Sequence, residues 1–413
     1  MPGVYTIREH EELPVLDKHD LNDLIAFTKK HPYPPVFHFG WNGRLHASNY
    51  VGVITTKRGT VVEILPKIDL GESSCTSHER TREAFLMMLR TYGGLKRTKS
   101  LPPSAIRALR RFPLLEVFVH LFLENVGLLV RGGLGRQYRT IQENLSFLRG
   151  RIVFRDHLRE NLIDRSRFYV EHDELNPNRP ANRLIRTTLD RLKPIVREER
   201  NRRLLADLEP AFSAIPTSQN IRADWRSHSI DRCMRHYEEV MQWVELFLFN
   251  QGLTTYSGRH INQSLLFPME QVYEDFVTHG FRRYQTEFQV VAQGPRERML
   301  QPSSGHNAMK PDISLCKPSS NVRFILDAKW IHLGENENKT ISDVHGSDLY
   351  QIYAYGKRYK CQTVALVYPR NSTFIRPCNF QFFDGLKLVL LPFDVSSPAG
   401  SERSVQRALR ELE

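Results

Sequence analysis

Two aspartates and a lysine, Asp312, Asp327 and Lys329, lie in or beside apolar strands of the stretch KPDISLCKPSSNVRFILDAKW, which runs from Lys310 to Trp330. Side chains alternate between the two faces of a β-strand, so Asp327 and Lys329 are predicted to share one face of the strand RFILDAKW. If PDISLC pairs with this strand through the turn KPSSN, Asp312 comes to lie beside Asp327. Two carboxylates at such a distance repel each other unless a positive group lies between them.

A divalent cation is the simplest such group, and oxygen ligands with open water positions favour Mg²⁺ over zinc, with Mn²⁺ as an expected substitute. Lys329 would then orient a water molecule or stabilise charge that develops on a phosphate. The pattern predicts metal-assisted hydrolysis of a phosphodiester. The alternative is that Asp312 starts a turn after Pro311 and that Asp327 and Lys329 form an exposed strand pair. The short motif alone does not decide between the two.

The elements around this motif favour the metal site. A predicted helix upstream, PMEQVYEDFVTHGFRRY, carries Glu270 and Glu274 one turn apart on the same face. A predicted helix downstream, SDLYQIYAYGKRY, carries Gln351 and Tyr355 with the same spacing. Helix, strand, strand and helix, each with a suitable polar residue, indicate an α/β domain built around a central mixed sheet.

Positive charge is concentrated in one part of the chain. The 413 residues contain 58 Lys and Arg against 46 Asp and Glu, a net charge of +12. Between Arg80 and Arg159, sixteen Lys and Arg stand against five Asp and Glu. This favours contact with a polyanion or with an acidic protein surface, although a solvated basic face is the alternative. The predicted contacts lie in a basic loop, RGGLGRQYRTIQENLSFLRGRIVF, and are Arg131, Arg136, Arg139, Arg149 and Arg151.

Several classes of protein are disfavoured. The glycines of this loop do not have the G-x-G-x-x-G spacing and no G-K-[ST] follows, so the chain is not expected to bind a nucleotide by itself. Five scattered cysteines without a C-x-x-C pair favour a reducing compartment and disfavour a zinc site. The first residues, MPGVYTIREHEELP, lack the apolar core of a signal peptide. We therefore expect a cytoplasmic protein with no membrane association.

The length of the chain and its changes of pattern predict an α+β multidomain protein. Residues 1–75 are read as a β-rich N-terminal domain, in which SNYVGVITTKRGTVVEILPKI is a hairpin. Residues 76–255 are read as a mainly helical, basic region that contacts a partner or DNA. Residues 256–413 form the predicted nuclease domain, and the boundary before it lies near Gly252 to Phe267.

Most of the chain resembles the McrC family, the nuclease subunits of McrBC-type modification-dependent restriction systems, and its C-terminal part resembles the PD-(D/E)xK nuclease fold. The resemblance is weak in the first forty residues and after about Pro369. It is carried by YVGVITTKRGTVVEILPKI, GLGRQYRTIQENLSFLRGRI, NRLIRTTLDRL, PMEQVYEDFV, KPDISL, ILDAKW and LYQIYAYGKRY.

The resemblance implies roles for individual residues and for a partner. Asp312, Asp327 and Glu274 would bind the metal, with Glu274 matching the acidic position of the first helix better than Glu270. Lys329 would be the catalytic lysine, and Gln351 and Tyr355 would support the site or contact DNA. The implied partners are modified DNA, a McrB-type AAA+ GTPase ring that the N-terminal part of McrC stimulates, and a second copy of the chain. Two other functions stay open: a non-catalytic activator of the GTPase, and a stand-alone repair nuclease of the same fold.

Overall fold

The computed structural model describes residues 3–30, 35–68, 74–93, 103–228, 232–249, 261–298, 308–317, 322–333 and 344–411. The chain divides into two compact units. The first unit comprises Met1–Leu114 together with Gly252–Glu413, and the second comprises Leu115–Gln251. The structure therefore groups the N-terminal β-rich region with the predicted nuclease domain, which the sequence analysis treats as separate. No helix within the described ranges is long and apolar enough to cross a membrane.

Strands and helices are numbered in chain order. The strands are β1 (Val4–Arg8), β2 (Phe37–Phe39), β3 (Leu45–Ala47), β4 (Tyr50–Thr56), β5 (Val61–Leu65), β6 (Gln137–Leu145), β7 (Arg151–Ile152), β8 (Phe168–Asn176), β9 (Ile261–Pro268), β10 (Gln289–Ala292), β11 (Glu297–Arg298), β12 (Ala308–Met309), β13 (Ile313–Cys316), β14 (Val322–Ala328), β15 (Thr363–Pro369), β16 (Cys378–Gln381) and β17 (Lys387–Phe393). The helices are α1 (Lys18–Lys30), α2 (Ser74–Leu89), α3 (Pro103–Leu109), α4 (Leu114–Gly132), α5 (Phe154–Glu160), α6 (Pro180–Leu192), α7 (Glu199–Phe212), α8 (Ile221–Ser227), α9 (Glu238–Phe249), α10 (Met269–Tyr284), α11 (Gly346–Tyr359) and α12 (Pro398–Arg410), with a 3-10 helix at Arg232–Tyr237.

A four-stranded sheet with the order β1-β5-β4-β9 forms one part of the first unit. β4 and β5 are the hairpin that the sequence predicts, and every residue of both strands is buried. β9 pairs antiparallel with β4 along its whole length. Gly52 of β4 permits this close approach, because a Cβ at that position would lie 1.9 Å from the carbonyl oxygen of Leu265.

The pairing of β9 with β4 concerns the region of the predicted domain boundary. Residues 252–260 of the predicted boundary lie outside the described residues, while residues 261–267 are part of β9 and thus of the N-terminal sheet. The short apolar run SLLF, which looks like a linker beside the preceding glycines and polar residues, is long enough to complete a buried strand. The division into residues 1–75, 76–255 and 256–413 remains a prediction.

A six-stranded mixed sheet with the order β10-β13-β14-β15-β17-β16 forms the other part of the first unit. β14, β15 and β17 are parallel neighbours, whereas β10, β13 and β16 run antiparallel to the strands beside them. α11 packs against β14 and β15, while α12 packs against α10 and β17. The carboxyl ends of parallel strands meet at one edge of a sheet, which places the residues after β14 and β15 together.

The second unit contains α5 to α9, most of α4, and a three-stranded antiparallel sheet with the order β6-β8-β7. The prediction of a basic loop around Arg136 to Arg151 was wrong, because β6 pairs with β8 from Gln137 to Leu145 and β7 follows at Arg151. The glycines that suggested a loop lie before β6 and between β6 and β7. The most apolar run of the chain, LLEVFVHLFLENVGLLV, lies within α4.

Candidate active site

Asp312 and Asp327 lie at the carboxylate edge of the six-stranded sheet, defined as the edge where β14 ends. Asp312 immediately precedes β13, which pairs antiparallel with β14 so that Ile313 lies opposite Leu326. Asp312 Oδ2 accepts a hydrogen bond of 2.9 Å from the backbone N–H of Ala328. The predicted hairpin therefore brings the two aspartates together, although residues 318–321 of its turn lie outside the described residues.

The Asp327 carboxylate is buried and incompletely paired. The residue is 1% exposed, and neither oxygen has a hydrogen-bond partner among the described residues. Its ionic partner is Lys329, whose Nζ lies 2.8 Å from Oδ2. Burial of an ionised carboxylate with unsatisfied lone pairs is costly unless another cation or donor is present.

Glu274 of α10 adds a third carboxyl group to this edge. Its Oε1 accepts a hydrogen bond of 2.9 Å from Gln293 Nε2. Burial raises the pKa of Glu274, and the charges of Asp275 and Asp327 raise it further. Burial, followed by the charges of Asp327 and Glu274, raises the pKa of Asp312 to about 9. The charges of Asp327 and Glu274 therefore disfavour ionisation of Asp312, and the charge of Asp327 disfavours ionisation of Glu274.

Lys329 connects this acidic group to α11. Its Nζ donates to Gln351 Oε1 at 3.0 Å and lies 3.5 Å from Asp348 Oδ1. Gln351 Nε2 in turn donates to the Tyr355 hydroxyl at 3.1 Å, so both predicted α11 residues belong to the network. Burial opposes the charge of Lys329, but the carboxylates of Asp327 and Asp348 outweigh burial and raise its pKa. The lysine is thus held as a cation among acidic partners.

A cleft of about 720 Å³ opens over these residues. Glu270, the other acidic residue predicted on α10, also lines the cleft and accepts a hydrogen bond of 3.0 Å from Asn49 Nδ2. The N-terminal sheet contributes to the wall through residues that follow β1 and β5. The cleft is lined by Glu9, His10, Asn49, Lys67, Glu270, Glu274, Asp312, Asp327, Ala328, Lys329, Trp330, Ile331, His332, His345, Ser347, Asp348 and Gln351.

Sequence reasoning missed two acidic residues of the cleft. Asp348 lies three residues before Gln351, so the helical spacing that identified Gln351 and Tyr355 could have identified it as well. Glu9 carries no comparable signal, because its contact with Trp330 spans 321 positions.

The donor atoms fit a partly protein-bound Mg²⁺ site. In the part of the chain that the structure describes, no group of three or more His, Cys, Asp or Glu side chains is arranged to hold a metal ion. Mg²⁺, however, is commonly bound through one or two carboxylates, with waters and substrate phosphates filling the other positions. Such a pair is available in Asp312 and Asp327: Asp327 Oδ1 has no hydrogen-bond partner among the described residues, and the carboxyl group of Asp312 lies beside it.

The five predicted contact arginines belong to the second unit. Arg131 lies in the last turn of α4, and Arg136 and Arg149 precede β6 and β7. Arg139 is on β6, opposite Glu174 of β8. All five are exposed, and Arg151 donates from Nε to Glu171 Oε1 at 2.8 Å. They are Arg131, Arg136, Arg139, Arg149 and Arg151.

Comparison with solved structures shows a shared fold. A half-complex from the tetradecameric assembly of Thermococcus gammatolerans McrB AAA+ hexamers with bound McrC matches 99% of this chain and 100% of the other chain, with a TM-score of 0.76 and 20% identity. The cryo-EM structure of the Thermococcus gammatolerans McrBC complex matches 69% of this chain and 89% of the other, with a TM-score of 0.52 and 20% identity. At this identity, the likeness shows the fold alone.

Comparison with sequence-family models shows the family to which the chain belongs. No curated protein matches the chain significantly. The model of the McrBC 5-methylcytosine restriction system component family matches residues 45–369, which include β4, β5, both predicted aspartates, the lysine and α11. The chain belongs to the family of McrBC 5-methylcytosine restriction system components.

Proposed function

We propose that the chain is a Mg²⁺-dependent DNA endonuclease subunit with a PD-(D/E)xK nuclease domain, and that a McrB-type AAA+ GTPase drives its cutting. The observation that carries this proposal is the Asp327 carboxylate. It is buried beside Asp312, Lys329 Nζ lies 2.8 Å from its Oδ2, and its Oδ1 has no hydrogen-bond partner in the described part of the chain. Such an arrangement is costly in a purely structural role, whereas a metal-dependent phosphodiesterase requires it.

The proposed roles follow from the contacts of each group. Asp312 and Asp327, with Glu274 behind them, would hold Mg²⁺, which when bound neutralises phosphate charge and lowers the pKa of bound water. Lys329 donates hydrogen bonds from a fixed position, because Asp327, Asp348 and Gln351 hold its ammonium group. It can therefore orient the attacking water or stabilise negative charge on the phosphate. In hydrolysis the water oxygen bonds to phosphorus, one P–O bond of the diester breaks, and the leaving oxygen gains a proton.

The second unit supports the proposed protein partner. Its exposed surface combines the five arginines with apolar side chains that are unusually exposed, among them Phe154 at 70% and Ile163 at 96%. Large exposed apolar residues beside basic ones are typical of protein contact sites. The exposed apolar residues of this region are Tyr138, Phe147, Leu148, Phe154, Leu158, Leu162 and Ile163. We propose that this surface contacts the GTPase ring, which the chain would also stimulate.

The test uses the chain reconstituted with its GTPase partner and methylated DNA. Asp327→Ala is expected to abolish cleavage and to leave GTPase stimulation intact, since the substitution alters only the first unit. Asp207, exposed on α7, gives the matched control: Asp207→Ala should cut like the wild type. Equal cutting by Asp327→Ala and wild type would reject the nuclease assignment and favour a non-catalytic activator. Metal-dependent cutting by the chain without GTP or partner would instead indicate a stand-alone nuclease.

A further inference from the structure

Gln293, the residue that follows β10, contacts two of the residues that carry the acidic groups of the cleft. Its side-chain Nε2 donates a hydrogen bond of 2.9 Å to Glu274 Oε1. Its backbone N–H donates a hydrogen bond of 2.8 Å to the carbonyl oxygen of Asp312. Glu274 lies on α10 and Asp312 precedes β13, so one residue connects the two elements that bring these carboxyl groups together.

The Asp312 end of this connection is fixed by the sheet. β13 lies between β10 and β14, and Asp312 Oδ2 accepts the hydrogen bond of 2.9 Å from the N–H of Ala328. The backbone before Asp312 is held from α11, where the Tyr355 hydroxyl donates to the carbonyl oxygen of Lys310 at 3.3 Å. Because Glu274 belongs to a helix and not to the sheet, its carboxyl group needs a side-chain contact to be held at a set distance from Asp312.

The backbone of Gln293 adopts an uncommon conformation. Its φ is +50°, in the left-handed region where glycine and asparagine are the least costly residues. Asparagine would keep the amide but is one methylene shorter, and glycine has no side chain. The glutamine at this position is therefore explained by the reach of its amide to Glu274 and not by the backbone turn. Strained backbone of this kind is concentrated at functional sites, where the surrounding structure maintains it.

The amide of Gln293 is a donor that carries no charge. A hydrogen bond from an amide N–H favours the ionised form of the carboxyl group that accepts it, and metal binding requires that form. A lysine or arginine in this place would also stabilise the carboxylate, but its positive charge would repel Mg²⁺. A neutral donor supports the carboxylate of Glu274 and leaves its negative charge available to a cation.

We propose that Gln293 is a positioning residue for the bound metal: it holds the Glu274 carboxyl group at a fixed distance from Asp312 and thereby raises the affinity of the site for Mg²⁺. This role depends on the proposed nuclease function and adds to it a residue that is not itself a metal ligand. Gln293 acts through Glu274, so its contribution should disappear when Glu274 is removed. Hydrogen-bonding partners of metal ligands typically change metal affinity by about 10- to 100-fold.

The test measures Mn²⁺ binding to the full-length chain, without DNA or partner, from the electron paramagnetic resonance signal of the free ion. Mn²⁺ takes the same oxygen ligands as Mg²⁺, and binding at this site is the part that Asp312→Asn removes. Gln293→Met keeps the length of the side chain and removes the donor, and it should weaken this binding about tenfold. In a Glu274→Ala background, which itself binds more weakly, the same substitution should change the affinity by less than about twofold.

Gln293→Asn separates the hydrogen bond from folding. Asparagine fits the left-handed backbone, so this variant should unfold at a temperature no lower than that of Gln293→Met. It should nevertheless bind Mn²⁺ about as weakly, because its shorter amide does not reach Glu274. Gln289→Met, which alters an exposed glutamine at the start of the same strand, is the matched control and should bind like the wild type.

Wild-type affinity in either Gln293 variant would overturn the positioning role, as would an equal loss of affinity with and without Glu274. These outcomes leave the proposed metal site in place. A wild-type chain whose Mn²⁺ binding is unaffected by Asp312→Asn would instead refute both the metal site and the role of Gln293, so the two failures are distinguishable.

Discussion

Trp330 donates its indole N–H to Glu9 Oε2 at 2.9 Å and thereby joins the residue after Lys329 to the residue that follows β1, 321 positions away. The Trp330 ring also packs at 5.2 Å from the ring of Tyr273, the residue before Glu274. One buried hydrogen bond thus supports both the lysine and the acidic residue of α10. The N-terminal sheet is a structural part of the candidate active site.

Glu9→Ala is expected to lower the free energy of unfolding by about 1–3 kcal/mol, because the buried Trp330 N–H loses its acceptor. The rate of cleavage by the reconstituted complex should fall mainly through kcat. The hydrogen bond that holds Trp330, the residue after Lys329, is lost, whereas the residues that contact DNA are unchanged. Glu9→Gln is the control, as its amide oxygen can still accept from Trp330. Urea unfolding and single-turnover cleavage measure the two effects. Equal loss of activity in both variants would contradict the positioning role.

The pH dependence of stability offers a separate measurement on Glu9. Burial raises the pKa of Glu9 to about 7. Because the folded state holds this proton more tightly than the unfolded state, stability is greatest below the unfolded pKa and declines as the pH rises towards about 7. Glu9→Gln has no such proton, so its stability relative to wild type should increase between about pH 4.5 and pH 7, by at most about 3 kcal/mol. A difference that stays constant with pH would argue against this protonation.

Local sequence patterns predicted much of the carboxylate edge, and long-range contacts account for what they missed. Side-chain alternation and the predicted pairing of PDISLC with RFILDAKW were sufficient to place Asp312 beside Asp327, because the two strands are close neighbours along the chain. The strand β9 was missed because its pairing partner, β4, lies about two hundred positions earlier, and no local pattern encodes that contact. Glu9 was missed for the same reason. The strand β6 was obscured by the glycines that flank it.

Arg82 neutralises a buried carboxylate in the N-terminal sheet. Its Nε and Nη2 donate to Glu63 Oε1 and Oε2 at 2.8 and 2.7 Å, and Glu63 is fully buried. Arg82→Ala leaves this charge without its cation and should reduce the free energy of unfolding by about 3–5 kcal/mol. The double variant Arg82→Ala with Glu63→Gln should recover part of the loss in a denaturation experiment. If the double variant loses as much free energy of unfolding as the two single variants together, the two side chains are not coupled.

Asp348 is expected to position Lys329 from the side of α11. Its Oδ1 lies 3.5 Å from the lysine Nζ, while Oδ2 is buried without a hydrogen-bond partner among the described residues. Asp348→Asn removes one of the charges that raise the pKa of Lys329, so the ammonium should lose its proton at a lower pH. The alkaline limb of the cleavage rate should shift to lower pH, with DNA affinity unchanged. The exposed Asp207→Ala should retain the wild-type profile.

Asp312 should link metal binding to proton release. Burial and the neighbouring Asp327 and Glu274 raise the pKa of Asp312 to about 9, so its carboxyl group is protonated at neutral pH in the absence of a cation. Binding of Mg²⁺ requires the carboxylate and must therefore displace this proton.

The thermal stabilisation that Mg²⁺ gives to the wild-type chain should consequently grow as the pH rises from about 7 to about 9. Asp312→Asn should abolish most of this stabilisation. Without metal, Asp312→Asn should match or exceed the wild type in stability above about pH 9. In that range the wild type carries an ionised Asp312 that Asp327 and Glu274 repel, and the variant carries a neutral amide. Differential scanning fluorimetry across this pH range provides the measurement. Ca²⁺ is included as a second hard cation that binds oxygen ligands. Stabilisation by Mg²⁺ that is independent of pH and equal in the two proteins would show that the ion binds elsewhere.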